Sequence, residues 1–258
     1  MVTAYDAPGA EMASAAGVDM ILVGDSLGMV VLGYEDTLQV TIDDMVHHVA
    51  AVARARPSPV VVADLPWLSF HLSRAETVTN AARLIRAGAQ AVKLEGGRKR
   101  LAMVEALLDA EIPVMGHLGL TPQSVHALGG FRVQGRTEEA AKVLLDDAQL
   151  LEEAGVFAIV LEGMPVTVAT ALTDAVTVPT IGIGAGPGCD GQVLVFHDLL
   201  GLQDRLRPRF VRRYASLREM SVDALRRYAA DVRSGDFPGP GESYGASNDG
   251  GDGCPPHR

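Results

Sequence analysis

Apolar residues in this chain fall into short runs with little alternation, each closed by glycine or a polar residue. The runs lie at 2–5, 20–23, 60–63, 91–94, 113–115, 157–161, 180–183 and 193–196. A strand with one wet face alternates apolar and polar positions. A run without alternation is buried on both faces, the mark of a parallel sheet covered by helices. Between the runs, apolar residues recur at helical spacing. Met45, Val46, Val49, Ala50 and Ala53 follow Thr41, which caps with Asp44. Leu144, Leu145, Ala148 and Leu151 form a stripe behind Thr137, Glu138 and Glu139, and Gly155 suits its C-terminal stop. Segments 76–87 and 99–110 follow the same pattern, with Gly88 and Pro113 beyond their ends.

Eight strands alternating with helices over about 195 residues, roughly 25 per unit, predict an α/β fold of the (β/α)8 TIM-barrel class. An open doubly wound sheet is the alternative, since strand order is not written in the sequence. No Pro/Gly/Ser linker interrupts residues 1–200, so one domain is expected over 1–234. Within it, residues 201–233 turn rich in Arg and Leu and 222–232 is amphipathic, predicting helices packed outside the barrel or against a neighbouring subunit. From Gly235 onward Gly, Pro, Ser, Asn and Asp predict a disordered tail over 235–258.

Composition narrows the class. At 258 residues and 48% hydrophobic, the chain is too apolar for a disordered protein. Its net charge of −10 argues against a binder of nucleic-acid backbone, which needs a basic footprint. Cys189 and Cys254 are its two cysteines, which excludes a disulfide framework and fits a reducing cytoplasm. No apolar run approaches the roughly 18 residues of a membrane span, and no basic-then-apolar leader opens the sequence. The expectation is a cytoplasmic protein that binds neither nucleic acid nor membrane.

The candidate chemistry sits where the strands end. Asp25 follows Ile21-Leu22-Val23-Gly24, Asp64 follows Val60-Val61-Val62-Ala63, and Lys93 and Glu95 flank Leu94. His117 follows Val114-Met115-Gly116, and Glu162 follows Ala158-Ile159-Val160-Leu161. Barrel enzymes carry their chemistry at these C-terminal ends. Carboxylates gathered there raise one another's pKa unless a cation neutralises them, and a hard divalent ion such as Mg²⁺ does so with open positions left for substrate oxygens. Asp25 and Asp64, the shortest acids, suit direct ligation, and Glu95 binds directly or through water. No Cys/His spacing points to zinc.

Each residue also has a structural alternative. Asp25 can cap the helix that follows, and Asp64, ahead of Leu65-Pro66, can seed a turn. Lys93 can simply pair with Glu95 on one strand face, and His117 can be a satisfied half-buried histidine. Glu162 is a poor helix cap, which favours a functional role. Weaker candidates read as structural. The glycines of 181–186 suit tight turns, His47-His48 a solvated helix, and Arg205 to Arg213 a solvated or intersubunit face. Nothing beside Cys189 marks it as a nucleophile.

Several of these segments carry a family resemblance. Val23-Gly24-Asp25-Ser26-Leu27-Gly28, Ala63-Asp64-Leu65-Pro66, Val92-Lys93-Leu94-Glu95-Gly96-Gly97 and Gly116-His117-Leu118-Gly119-Leu120-Thr121-Pro122-Gln123 stand in the order of the 3-methyl-2-oxobutanoate (ketopantoate) hydroxymethyltransferase family, which the chain resembles over about residues 2 to 240. Thr180 to Gly186, Asp190-Gly191-Gln192 and His197-Asp198 continue the match. The resemblance implies a Mg²⁺-dependent barrel of the phosphoenolpyruvate/pyruvate-binding type. It implies transfer of a one-carbon unit from 5,10-methylenetetrahydrofolate to 3-methyl-2-oxobutanoate, giving 2-dehydropantoate for pantothenate and coenzyme A synthesis, and a homodecamer. It places Asp25 and Asp64 as metal ligands with Glu95 the third acid, and Ser26 and Lys93 on the 2-oxo acid together with Asp25 and Asp64. Glu162 takes the position of the proton acceptor, and His117 lines the same substrate pocket.

Two departures stand out. Family members carry a helical segment ahead of the Thr-Ala-Tyr-Asp stretch, whereas Met1-Val2 stands there here, so an altered barrel floor or subunit contact, or a misassigned start codon, is expected. Gly163-Met164-Pro165 follows Glu162 where a Cys or similar small residue often stands. Two rival readings remain: a lyase of the isocitrate-lyase type and a non-catalytic binding or assembly subunit. The first expects a cysteine in a Lys-Lys-Cys-Gly-His-like loop, which this chain lacks, and the intact acid set speaks against the second.

Overall fold

A computed structural model describes residues 1–205 and 208–244, in two compact units, Met1–Tyr214 and Ala215–Arg258. In the first unit the chain runs β1 (Val2–Thr3), α1 (Ala7–Ala15), β2 (Met20–Val23), α2 (Leu27–Val30), α3 (Ile42–Arg54), β3 (Val60–Asp64), α4 (Arg74–Ala87) and β4 (Ala91–Glu95). It continues through α5 (Leu101–Asp109), β5 (Val114–Gly119), α6 (Val125–Leu128), α7 (Glu138–Ala154), β6 (Ala158–Glu162), α8 (Val166–Ala175), β7 (Thr180–Ile183), β8 (Gly191–Gln192) and α9 (Phe196–Leu199). Every neighbouring pair is parallel, in the order β1 to β8. The sheet then closes on itself, because Val2 bridges Leu194 and the Thr3 N–H donates to the Leu194 carbonyl at 3.2 Å. Sequential order plus closure makes this a (β/α)8 barrel and excludes the open doubly wound alternative.

The helices begin where short polar side chains offer a cap. Thr41 Oγ1 accepts from the Asp44 N–H while Asp44 Oδ2 accepts from the Thr41 N–H, the reciprocal box the sequence predicts. Thr137 caps α7 and Gly155, at φ 103°, ends it. Two helices escape the sequence pattern. In α1, Asp6 accepts from the Gly9 N–H and Pro8 occupies the first turn. In α8, the Val/Thr-rich run Val166-Thr167-Val168 has weak helix propensity and is helical because Ala169 and Leu172 pack into the core. The last strand, β8, is short and starts ahead of the run at 193–196; Val193 and Leu194 of that run still hydrogen-bond to β7 and β1, and Phe196 opens α9.

Strand side chains feed two separate cores. Odd positions of β3 and even positions of β4, such as Val61, Ala63, Val92 and Leu94, join the layer between barrel and helices. Their alternates, Leu22, Val62, Ala91, Met115, Ala158, Val160, Ile181 and Val193, fill the barrel itself. Both faces of each strand are thus covered, the reason the sequence shows runs rather than alternation.

The second unit, described to residue 244, is the helix α10 (Leu217–Ser234), ended by Gly235 at φ 82°, and the segment after it, where Phe237 packs edge-on against Tyr228 with ring centroids 5.4 Å apart. Of the expected tail, 245–258 lies outside the described residues, as does Cys254. Among the described residues no helix is long and apolar enough to cross a membrane.

Candidate functional site

Inside the barrel the side chains change character over a single step of the pleat. Two residues beyond Val62 stands Asp64, two beyond Ala91 stands Lys93, two beyond Met115 stands His117, and two beyond Val160 stands Glu162. Residues two apart share a strand face, so all four point inward, and Glu95 follows Lys93 on the same face. The strand register sets the neighbours: Asp64 lies opposite Lys93, Glu95 opposite His117, and Gly119 opposite Glu162. Gly119 is required there. Its φ is 96°, and a Cβ would come within 2.1 Å of the Glu162 carbonyl oxygen.

The predicted residues converge as the sequence suggests. All of Asp25, Ser26, Asp64, Lys93, Glu95, His117 and Glu162 line one cavity of about 840 Å³, a volume suited to organic ligands. Lys93 Nζ lies 3.0 Å from Asp64 Oδ1 and 3.2 Å from His117 Nδ1. Its partner is therefore Asp64 across the ladder rather than Glu95 along its own strand. An ammonium can only donate, so His117 Nδ1 accepts and the ring proton sits on Nε2, 3.1 Å from Glu162 Oε2. The Asp25 N–H donates to Asp64 Oδ2 at 3.1 Å, tying the two aspartates together.

Burial and like charge set the protonation of this group. Burial, and then Asp64, push Asp25 up to about 7. Burial followed by Asp25 pushes Glu95 well above the carboxylate range. Glu162 is pushed to about 7 by burial, against the pull of Lys93. Burial disfavours the charge on Lys93, but Asp64, Glu95 and Asp25 outweigh it and hold the ammonium above the usual lysine range. Burial, with Lys93 beside it, keeps His117 neutral far below the usual histidine range. The site thus has a firmly charged lysine, a neutral histidine and a carboxyl poised near neutrality.

Other contacts around the cavity carry no charge and leave little mark in the sequence. Tyr5, buried at the end of the first apolar run, places its hydroxyl 2.9 Å from Ser26 Oγ, and its carbonyl accepts from His48 Nδ1 at 2.6 Å. His48 is therefore half-buried and engaged, while only His47 is solvated. Gln123, in the turn Pro122–Ser124, reaches both Asp25 and Glu95. The signal for Tyr5 was its place at a strand end, shared with every acid of the site. Gln123 sits inside a quoted motif without a charge to mark it. The basic run is not uniformly solvated either: Arg205 donates to the Gly33 carbonyl and lines the cavity, and Arg213 pairs with Asp204 at 2.7 Å. Arg207 lies outside the described residues. In the glycine-rich turn, Gly184 and Gly186 adopt positive φ, as expected of turns.

The chain is 60% identical to the 3-methyl-2-oxobutanoate hydroxymethyltransferase of Moorella thermoacetica over 95% of this chain and 91% of that one. It is also 60% identical to the enzyme of the same name from Ignicoccus hospitalis, over 93% and 91%. The fold resembles the crystal structure of 2,3-dimethylmalate lyase, a PEP mutase/isocitrate lyase superfamily member, with a TM-score of 0.58, 18% identity, and coverage of 92% and 83%. The family model described as ketopantoate hydroxymethyltransferase matches residues 1–240, and the chain belongs to that family of TIM-barrel transferases.

Proposed function

We propose that this chain transfers a hydroxymethyl unit from 5,10-methylenetetrahydrofolate to 3-methyl-2-oxobutanoate, forming 2-dehydropantoate for pantothenate and coenzyme A synthesis. The observation that carries the reading is the Lys93–His117–Glu162 line. A carboxyl poised near pH 7 faces the cavity, with positive charge fixed on the far side of a neutral imidazole.

The donor set suits a hard divalent cation. Asp25, Asp64 and Glu95 offer only oxygens, and burial and then the neighbouring carboxylates hold Asp25 and Glu95 above their usual range, a strain that a cation among them relieves. Such an ion keeps positions open for substrate oxygens. Mg²⁺ held by Asp25 and Asp64, with Glu95 beside it, would supply positive charge to the keto and carboxylate oxygens of the 2-oxo acid.

This chain's own residues do the rest. Ser26 and Lys93 hold the acid's oxygens, with Lys93 fixed by Asp64. Glu162, as carboxylate, takes the C3 proton. The electron pair left on C3 forms the new bond to the folate-borne methylene carbon. That carbon's bond to one folate nitrogen breaks as the new bond forms, water displaces the other nitrogen and supplies the hydroxyl, and tetrahydrofolate leaves with two protons on its nitrogens, one passed on from Glu162 and one from water. His117 Nε2 lies 3.1 Å from Glu162 Oε2, and the imidazole packs between that carboxyl and Lys93. We further propose, from the family resemblance, that the chain works in the cytoplasm as a homodecamer.

The test is direct. Purified protein with Mg²⁺ and both substrates should yield 2-dehydropantoate by mass spectrometry, and production should stop with chelator. No product from folded, Mg²⁺-loaded protein would overturn the reading.

A further inference from the structure

Gln123 is buried on the turn after β5, and its contacts reach two other strand ends and the chain just past a third. Its backbone N–H donates to Glu95 Oε2 at 3.0 Å. Its side-chain Nε2 donates to Asp25 Oδ2 at 2.8 Å and to the Leu65 carbonyl, just beyond β3, at 2.9 Å. A carbonyl and a carboxylate only accept, so both amide protons are committed and the orientation of the amide is fixed. That leaves Gln123 Oε1 as a buried acceptor without a partner in the protein. Such an atom normally finds a donor, in water or ligand.

We infer that Gln123 is the positioning residue for a divalent cation at this site. The inference rests on the reading of Asp25, Asp64 and Glu95 as the acids that hold one. The amide engages one oxygen of Asp25 and the backbone N–H one oxygen of Glu95. Each carboxylate thereby loses its freedom to rotate and presents its other oxygen, Oδ1 or Oε1. A neutral amide is the group for this task. Lysine or arginine would orient the acids equally well but neutralise the charge that attracts the ion. Glutamate would add a further buried negative charge and could not donate. Outer contacts of this kind typically tune metal affinity by about 10–100-fold.

Gln123→Met keeps the length of the side chain and removes both donors, while Gln123→Asn keeps an amide and withdraws it by one methylene. Purified metal-free protein, full chain, is titrated with Mn²⁺ alone, and the free ion is followed by its electron paramagnetic resonance signal. Binding should weaken about 10–100-fold in Gln123→Met and by an intermediate factor in Gln123→Asn. In the catalysed reaction with Mg²⁺, the apparent KM for the metal should rise while kcat at saturating metal recovers, a split that general loss of structure does not give. Asp25→Asn is the control. If wild type and Asp25→Asn bind Mn²⁺ alike, the metal reading itself falls. If Asp25→Asn loses binding and Gln123→Met does not, only the role of Gln123 is overturned. Should Gln123→Met fail to fold, Gln123→Asn decides: wild-type affinity overturns the inference, and weakened affinity supports it.

Discussion

The barrel interior holds two layers that share strands, register and near-complete burial, yet they are opposite in chemistry. The floor, with Leu22, Val62, Ala91, Met115 and Val160, is apolar, whereas the mouth, one pleat further, carries Asp64, Lys93, Glu95, His117 and Glu162. Met115 and His117 are 0% and 2% exposed. Burial therefore does not dictate polarity here. In the floor, buried area stabilises the fold. In the mouth, four carboxylates (Asp25, Asp64, Glu95 and Glu162) share one close ammonium, Lys93, an arrangement that costs stability and creates reactivity. Substitutions in the floor should register in stability, and those in the mouth in chemistry.

The sharpest break is at Glu162. Glu162→Gln should slow C3–H exchange of 3-methyl-2-oxobutanoate in deuterated buffer by about 10²–10⁴-fold while leaving the melting temperature close to wild type. Undiminished exchange would remove Glu162 as the base. Next comes Met115→Ala, one step below His117. It should cost about 2–5 kcal/mol in urea denaturation, with little change in the KM of either substrate. Unaltered stability would mean that the floor is not the packed layer described.

A third effect follows from protonation. Asp25 and Glu162 have folded-state values near 7, above those of the unfolded chain. The folded state thus keeps protons that the unfolded state has released. Their contribution is full below about pH 4 and is lost as pH rises through about 7. Between pH 5.5 and 6.5 these two carboxyls should withdraw about 2 kcal/mol from metal-free protein, offset in part by His117, whose neutral folded form gains stability as the unfolded imidazole loses its proton, and saturating Mg²⁺ should flatten the carboxyl slope. A slope unaffected by Mg²⁺ would separate these carboxyls from the metal. Smallest is Tyr5→Phe, which removes the hydroxyl 2.9 Å from Ser26. It should raise the KM for the 2-oxo acid by less than about tenfold, and an unchanged KM would detach Tyr5 from substrate binding.

The contrast between layers also explains what the sequence made legible. Strands buried on both faces stand out as apolar runs, and charged residues closing them, such as Asp64, Lys93 and Glu162, stand out against that background. Tyr5 and Gln123 act through neutral hydrogen bonds, and neither breaks an apolar pattern. Neighbours along one strand are visible in sequence and neighbours across the ladder are not, so Glu95 offers itself as a partner of Lys93 and Asp64 does not. The short β8 escapes for a related reason. Barrel closure is a contact between the first strand and the chain at Leu194, which local pattern does not contain.

The bond from Gln123 to Asp25 spans 98 residues. A ribosome adding about 5–20 residues per second needs roughly 5–20 s to make that stretch. During synthesis, the aspartate, then Asp64, then Glu95 emerge before the amide that restrains two of them exists, and Glu162 comes last. The order of birth is thus the three acids first, their restraint next and the proposed proton acceptor at the end. A half-made chain presents open carboxylates to any free cation before it carries the carboxyl proposed to take the substrate's proton.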